Sequence, residues 1–130
     1  MLIRSQQIGE ELQLFVGSPL TADNCAAART AIQKHSTRSN APVVVVDLEK
    51  CAYMDTPGLS LLFELRKTSQ ELGRTAILQN PSRAVQRILN ITQMHRVFQI
   101  RQTSVDLERI PSAKPVVNAA DMDTVILPKP

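Results

Sequence analysis

Thr56 is the side chain with the clearest chemical potential in this sequence, because its hydroxyl stands at the predicted start of a helix. It follows Asp55 and precedes Pro57, Gly58 and a strongly apolar stretch. A threonine hydroxyl can cap a helix, and proline suits the first helical position, where its missing N–H costs nothing. The four valines at 43–46 predict a strand buried on both faces. Thr56 then lies near the carboxyl end of a central strand, where open α/β sheets place functional sites.

Other side chains that could do chemistry are scattered along the chain. Cys51 and His35 could form a nucleophile–base pair, but nothing in the sequence brings them together, and His35 and His95 are isolated where zinc requires clustered ligands. No phosphate-binding motif of the GxGxxG or GxxxxGK[ST] type occurs. We expect no catalytic residue, no metal and no cofactor. The alternative, an enzyme with Thr56 or Cys51 as its nucleophile, lacks a visible base.

Hydrophobic patterns predict alternating strands and helices. Residues 2–8 and 11–16 flank a Gly-Glu turn and predict a hairpin. A helix capped by Thr21 follows, and then a strand over 43–46 and a helix over 57–72 that Gly73 ends. Next come a strand over 75–78 and a helix capped by Asn80, with Pro81 in its first position. The last predicted elements are a strand over 97–101 and a helical turn over 105–107. Strand–helix alternation implies parallel pairing through helical crossovers. The predicted fold class is α/β, a single domain with a mixed sheet of about five strands.

Composition limits the classes of partner. The 130 residues carry a net charge of +3 and include one Tyr, three Phe and no Trp, so no basic-aromatic surface for nucleic acid is expected. The chain has no run of about 18 apolar residues that could span a membrane and no apolar signal region at its start. We expect a cytoplasmic protein without nucleic-acid binding or direct membrane insertion. Its Cys25 and Cys51 should be reduced and partly buried.

The character of the sequence changes from residue 110 onward. Four prolines interrupt this segment, at positions 111, 115, 128 and 130, and residues 125–127 form an isolated apolar triplet. We expect a domain over residues 1–109 and a proline-containing tail over 110–130. The tail can lie extended over the domain or act as a partner-binding strand, and the sequence leaves both possibilities open.

These segments together resemble the STAS domain family. A buried strand that ends in Asp47-Leu48, a short loop and the sequence Asp-Thr-Pro-Gly-Leu at 55–59 are similar to the family's central motif. The resemblance continues through the Leu-Gly-Arg-Thr-Ala-Ile-Leu stretch at 72–78, residues 80–89 and residues 97–100, and with the first hairpin it covers residues 2–107. The family includes anti-sigma factor antagonists (anti-anti-sigma factors) and domains of sulfate transporters, stress-signalling complexes and bacterial lipid-transport systems. The resemblance implies a STAS-like fold and a bacterial protein that regulates transcription or signalling through protein–protein interaction.

The resemblance also implies a role for Thr56. In the family, the serine or threonine directly after this aspartate is where a partner kinase places a phosphate, so Thr56 is the candidate phosphoacceptor. A phosphoryl group adds roughly two negative charges, which a helix N-terminus tolerates, and modification would therefore change docking rather than the fold. The implied partner is an anti-sigma factor or a serine/threonine-kinase-type protein. Alternatively, the chain is a non-phosphorylated accessory subunit of a bacterial lipid-transport ABC complex, contacting its ATPase subunit, or part of a stress-signalling scaffold.

The helix after Thr56 is apolar around most of its circumference. A helix on one face of a sheet buries only part of its surface, so part of Leu59, Leu61 or Phe63 should remain exposed near Thr56. The candidate partner-binding residues are Asp55, Thr56, Pro57, Gly58, Leu59 and Phe63. Two alternatives remain open: Asp55 and Thr56 can be capping residues alone, and the tail or a neighbouring helix can cover the apolar side of the helix.

Overall fold

The computed structural model describes residues 3–103, which form a five-stranded mixed sheet and its connecting helices. The strands are β1 (Ile3–Ile8), β2 (Glu11–Val16), β3 (Val43–Asp47), β4 (Thr75–Gln79) and β5 (Gln99–Arg101). The helices are α1 (Cys25–Thr37), α2 (Thr56–Glu71) and α3 (Arg83–Ile91), and a short 3₁₀ helix spans Met94–Arg96. The predicted α/β fold class is confirmed. The helical turn at 105–107, the domain end at 109 and the tail at 110–130 lie outside the described residues.

The strands follow one another in the sheet in the order of the sequence, from β1 at one edge to β5 at the other. The pair β1–β2 is antiparallel, because only Gly9 and Glu10 join the two strands and Gly9 turns the chain with a φ of 58°. The other three pairs are parallel, and in each of them a helical connection joins the two strands. The predicted mixed sheet is therefore confirmed.

One face of the sheet forms the main hydrophobic core. Alternate residues of β2 point into this core, and Leu12 and Leu14 stand beside Val44 and Val46 of β3 in the parallel register. The buried residues of α1 and α2 belong to the same cluster. Val45 lies on the opposite face and is also fully buried, as the run of valines predicts. No helix within residues 3–103 is long and apolar enough to cross a membrane.

None of the three predicted helix caps is correct, and two of the errors concern α1 and α3. Thr21 does not cap α1; the cap position belongs to Asn24, whose Oδ1 accepts a hydrogen bond of 2.9 Å from the Thr21 backbone N–H. Asn80 does not cap α3, because its backbone is left-handed, with a φ of 51°. Ser82 caps that helix instead, its Oγ accepting from the Val85 N–H at 3.3 Å. In each case several cap-forming residues stand close together, so their types alone do not identify the first helical residue.

Candidate functional site

The N-terminus of α2 is capped by Asp55 and not, as the sequence predicts, by Thr56. The Asp55 backbone is extended, and its Oδ1 accepts a hydrogen bond of 3.1 Å from the Gly58 N–H. Thr56 is the first residue of α2, and Pro57 is the second rather than the first. A carboxylate in the cap position also complements the positive end of the helix dipole, which a neutral hydroxyl does less well.

Asp55 also ties the start of α2 to the loop that follows β2. Its Oδ2 accepts a hydrogen bond of 3.0 Å from the Ala22 N–H, and its own N–H donates to the Leu20 carbonyl at 3.1 Å. The Leu20 N–H donates in turn to the Tyr53 carbonyl at 3.0 Å. Both carboxylate oxygens of Asp55 are therefore engaged within the fold, and this residue positions the neighbouring Thr56.

Gly58 allows α2 to approach this same loop closely. It is buried, and a Cβ atom at this position would lie 2.2 Å from the Leu20 carbonyl oxygen. No side chain fits in that space. Gly58 is therefore required for packing, and it brings the start of α2 against Leu20 and Met54, which form an isolated parallel bridge.

Thr56 itself faces solvent. Its side chain is exposed, and its hydroxyl makes no hydrogen bond to any residue between 3 and 103. Because Asp55 supplies the cap, the Thr56 hydroxyl has no structural task in this part of the chain.

An exposed surface extends from Thr56 along α2. Ser60 and Phe63 follow Thr56 at helical spacings of four and seven and are exposed on the same side, Phe63 by 42%. Tyr53, on the loop before the helix, is 51% exposed. We call these residues, together with the exposed Pro57, the Thr56 surface. It combines two aromatic rings with three hydroxyl groups, those of Tyr53, Thr56 and Ser60.

The remaining apolar residues of this helix face the core. Of the three residues expected to be partly exposed, Leu59 and Leu61 are buried, at 7% and 2% exposed, and Phe63 is the one that faces solvent. Leu59 and Gly58 lie beneath the Thr56 surface and support it. Alongside, the Arg29 Nε atom of α1 forms a salt bridge of 3.0 Å with Glu64.

The candidate nucleophile Cys51 is inaccessible. Its side chain is fully buried, and the Sγ donates a hydrogen bond to the Tyr53 carbonyl at 3.3 Å. Burial raises the pKa of the Cys51 thiol, which keeps it protonated and unreactive. His35 does not approach it; its Nδ1 lies 2.9 Å from the Ser5 Oγ. Within residues 3–103 no cluster of His, Cys, Asp or Glu side chains could hold a metal ion.

A buried polar network at the carboxyl ends of β3 and β4 was not predicted. Asp47 is only 6% exposed, and its Oδ2 accepts hydrogen bonds from the side-chain amides of Gln79 at 2.9 Å and Asn80 at 3.2 Å. Its Oδ1 accepts from the Glu49 N–H at 3.0 Å. Asp47, Gln79 and Arg101 are register partners at the ends of three parallel strands. Each of the three predicted strands ends at or directly before one of these polar residues, and this pattern in the sequence could have indicated the network.

Arg101 extends this network across the sheet to β2. Its Nη1 and Nη2 donate to the two carboxylate oxygens of Glu11 at 2.8 and 2.9 Å, and its Nε donates to the Gln79 Oε1 at 3.1 Å. The hydrogen bonds from Arg101 are the main reason why the pKa of Glu11 falls from its usual 4.5 to about 2. The pair joins the edge strand β5 to β2, the strand next to the opposite edge of the sheet.

Comparison with known proteins agrees with this architecture. The model of the STAS domain family matches residues 3–107. The chain is similar in structure to a putative anti-sigma factor antagonist from Thermotoga maritima, at 16% identity with a TM-score of 0.72, covering 82% of this chain and 91% of that one. It is also similar to an anti-sigma-factor antagonist (STAS) domain protein from Planctomyces limnophilus, at 16% identity with a TM-score of 0.69, covering 81% and 93%.

A third similar structure is the Bacillus cell fate determinant SpoIIAA in its phosphorylated form. Its identity to this chain is 13% and the TM-score is 0.61, covering 82% of this chain and 96% of that one. At such identities, the structural likeness concerns the fold. The family model spans all the described residues. Together with the five-stranded mixed sheet, this match shows that the chain belongs to the STAS domain family.

Proposed function

We propose that this chain is a regulatory protein-interaction module, similar to an anti-sigma factor antagonist, whose docking to a partner kinase or anti-sigma factor is switched by phosphorylation of Thr56. The observation that supports this proposal most strongly is the exposed, unbonded hydroxyl of Thr56 at the start of α2, beside the exposed rings of Tyr53 and Phe63. Exposed aromatic side chains on the same surface as a modifiable hydroxyl are suited to a contact that a charge can disrupt.

The fold should tolerate a phosphate on Thr56. The group would sit at the positive end of the helix dipole, and the cap from Asp55 to Gly58 does not involve the Thr56 hydroxyl. Modification therefore leaves the cap in place. The same phosphate would have to lose its hydration in a contact with Tyr53 and Phe63, and burying an unpaired charge is costly. Phosphorylation then opposes docking without unfolding the domain.

In this proposal the chain is a substrate and a binding partner, and the kinase supplies the catalysis. The buried, protonated Cys51 thiol is not a useful nucleophile, and Thr56 has no side-chain base bonded to its hydroxyl within residues 3–103. We expect the purified chain to hydrolyse no ATP by itself.

Intact-mass spectrometry after incubation with the cognate kinase and ATP tests the proposal. We expect one added phosphate on the wild type and on Thr56→Ser, and none on Thr56→Ala. Ser60→Ala is the matched control, because Ser60 is an exposed hydroxyl one turn further along the same helix.

Continued phosphorylation of Thr56→Ala would show that another residue carries the phosphate and would contradict the proposal. A stable complex with a transporter ATPase and no phosphate on the wild type would instead favour the accessory-subunit alternative.

A further inference from the structure

A second surface lies at the carboxyl ends of the parallel strands β3, β4 and β5. It is an open groove of about 1230 Å³. Its lining includes Glu49 from the loop after β3, Asn80 directly after β4 and Gln102 directly after β5, together with the exposed side of α3. Open α/β sheets bind ligands at this end of their strands. The groove is separate from the Thr56 surface, with which it shares no residue.

Two arginines on α3 give this groove its charge. Arg83 and Arg87 are one helical turn apart, and both are exposed. Neither of them forms a salt bridge with a carboxylate in residues 3–103. Glu49 also lines the groove, but it is not ion-paired with either arginine in that part of the chain. The groove thus presents two guanidinium groups whose fork geometry matches carboxylates.

The position of Arg83 is unfavourable for the helix itself. Arg83 is the first residue of α3, and the first turn contains no acidic residue. The N-terminus of a helix is the positive end of its dipole, so a cation there is disfavoured. Proteins tolerate a locally unfavourable residue of this kind at some functional positions. A negatively charged ligand would account for it.

One loop connects the residues that line the groove to the start of α2. The Ser82 Oγ, at the start of α3, donates a hydrogen bond of 2.7 Å to the Cys51 carbonyl. The loop then runs from Cys51 through the exposed Tyr53 to Asp55, which caps α2. The starts of α2 and α3 are therefore held to the same loop.

We propose that this groove binds an acidic segment of the partner protein, whose carboxylates pair with Arg83 and Arg87. The identity of the partner as a protein rests on the proposed function; the charge of the segment follows from the groove alone. Pairs of this kind are exposed to solvent, so each contributes modestly and is weakened by salt.

An NMR titration of the full chain with an octaglutamate peptide tests the proposal. We expect shift changes confined to the backbone amides of residues 49, 80, 82–91 and 102, and weaker binding as the salt concentration rises. The double variant Arg83→Glu/Arg87→Glu should lower the affinity at least about fivefold. The matched control is Lys34→Glu/Arg38→Glu, which makes the same charge change at the same spacing on exposed residues at the end of α1 and should bind as the wild type does.

The melting temperature of the Arg83→Glu/Arg87→Glu variant should equal or exceed that of the wild type, because an acid replaces a cation at the start of α3. Lost binding would then not result from unfolding. Absence of binding by the wild type, undiminished binding by this variant, or an equal loss in the Lys34/Arg38 control would overturn the proposal. Thr56→Glu should retain the octaglutamate affinity, so failure of the Thr56 switch and failure of the groove are separate results.

Discussion

Asp55 is the residue on which the geometry of the Thr56 site depends. One carboxylate oxygen accepts from the Gly58 N–H and the other from the Ala22 N–H, so this side chain joins the start of α2 to the loop after β2. Thr56, the adjacent residue, makes no such contact within residues 3–103. The two neighbours therefore have different roles: Asp55 fixes the backbone at the start of α2, and Thr56 exposes its hydroxyl to solvent.

Alanine substitution at these two positions should have unequal effects. Asp55→Ala removes a cap and a second hydrogen bond, and we expect the free energy of unfolding to fall by about 2 kcal/mol. Thr56→Ala removes an exposed side chain and should change it by less than about 0.5 kcal/mol. Urea denaturation of both variants measures the difference. A larger loss for Thr56→Ala than for Asp55→Ala would show that the threonine is the structural residue of the pair.

At the level of the elements, hydrophobic patterns were a good guide and the exact helix starts were not. The observed α2 begins one residue before the predicted helix and ends one residue before the predicted end. The caps were harder to predict because candidates stand side by side, as Asp55 does with Thr56 and Asn80 with Ser82. Which of them takes the cap depends on contacts with Ala22 and Cys51, and these residues are distant in the sequence.

The ion pair between β2 and β5 should make stability depend on pH in the acid range. The pKa of Glu11 is lowered from 4.5 to about 2 in the fold, so its contribution is complete above pH 4.5 and is lost as the pH falls from there towards 2. Because both side chains are partly exposed, we expect a contribution on the order of 1 kcal/mol.

Urea denaturation of the wild type and Glu11→Gln across this pH range measures the effect. The difference between them should be largest near neutral pH and should shrink as Glu11 is protonated. Glu10→Gln is the control, since this neighbour forms no salt bridge within the described residues. A difference that does not change with pH would contradict an ionic origin.

At the scale of the whole molecule, the motif was recognisable but the surfaces around it were not. The STAS-like motif at 55–59 predicted where the exposed hydroxyl lies, because a strand, a loop and a helix start are local features. The groove could not be predicted in the same way. Glu49, residues 80–91 and Gln102 come from three separate segments, and only the sheet order brings these segments together.

The central claim is that negative charge at Thr56 disrupts docking and leaves the fold intact. Thr56→Glu places one charge, about half that of a phosphate, at the start of α2. The control Gln70→Glu adds the same charge at an exposed position about 21 Å further along the helix axis. Calorimetric titration of the wild type and both variants against the cognate partner is the most direct measurement.

We expect Thr56→Glu to melt as the wild type does but to bind at least about tenfold more weakly, a difference of about 1.4 kcal/mol. Gln70→Glu should bind with the wild-type affinity. Equal affinities for the wild type and a folded Thr56→Glu variant would contradict the account and leave the start of α2 with a structural role only.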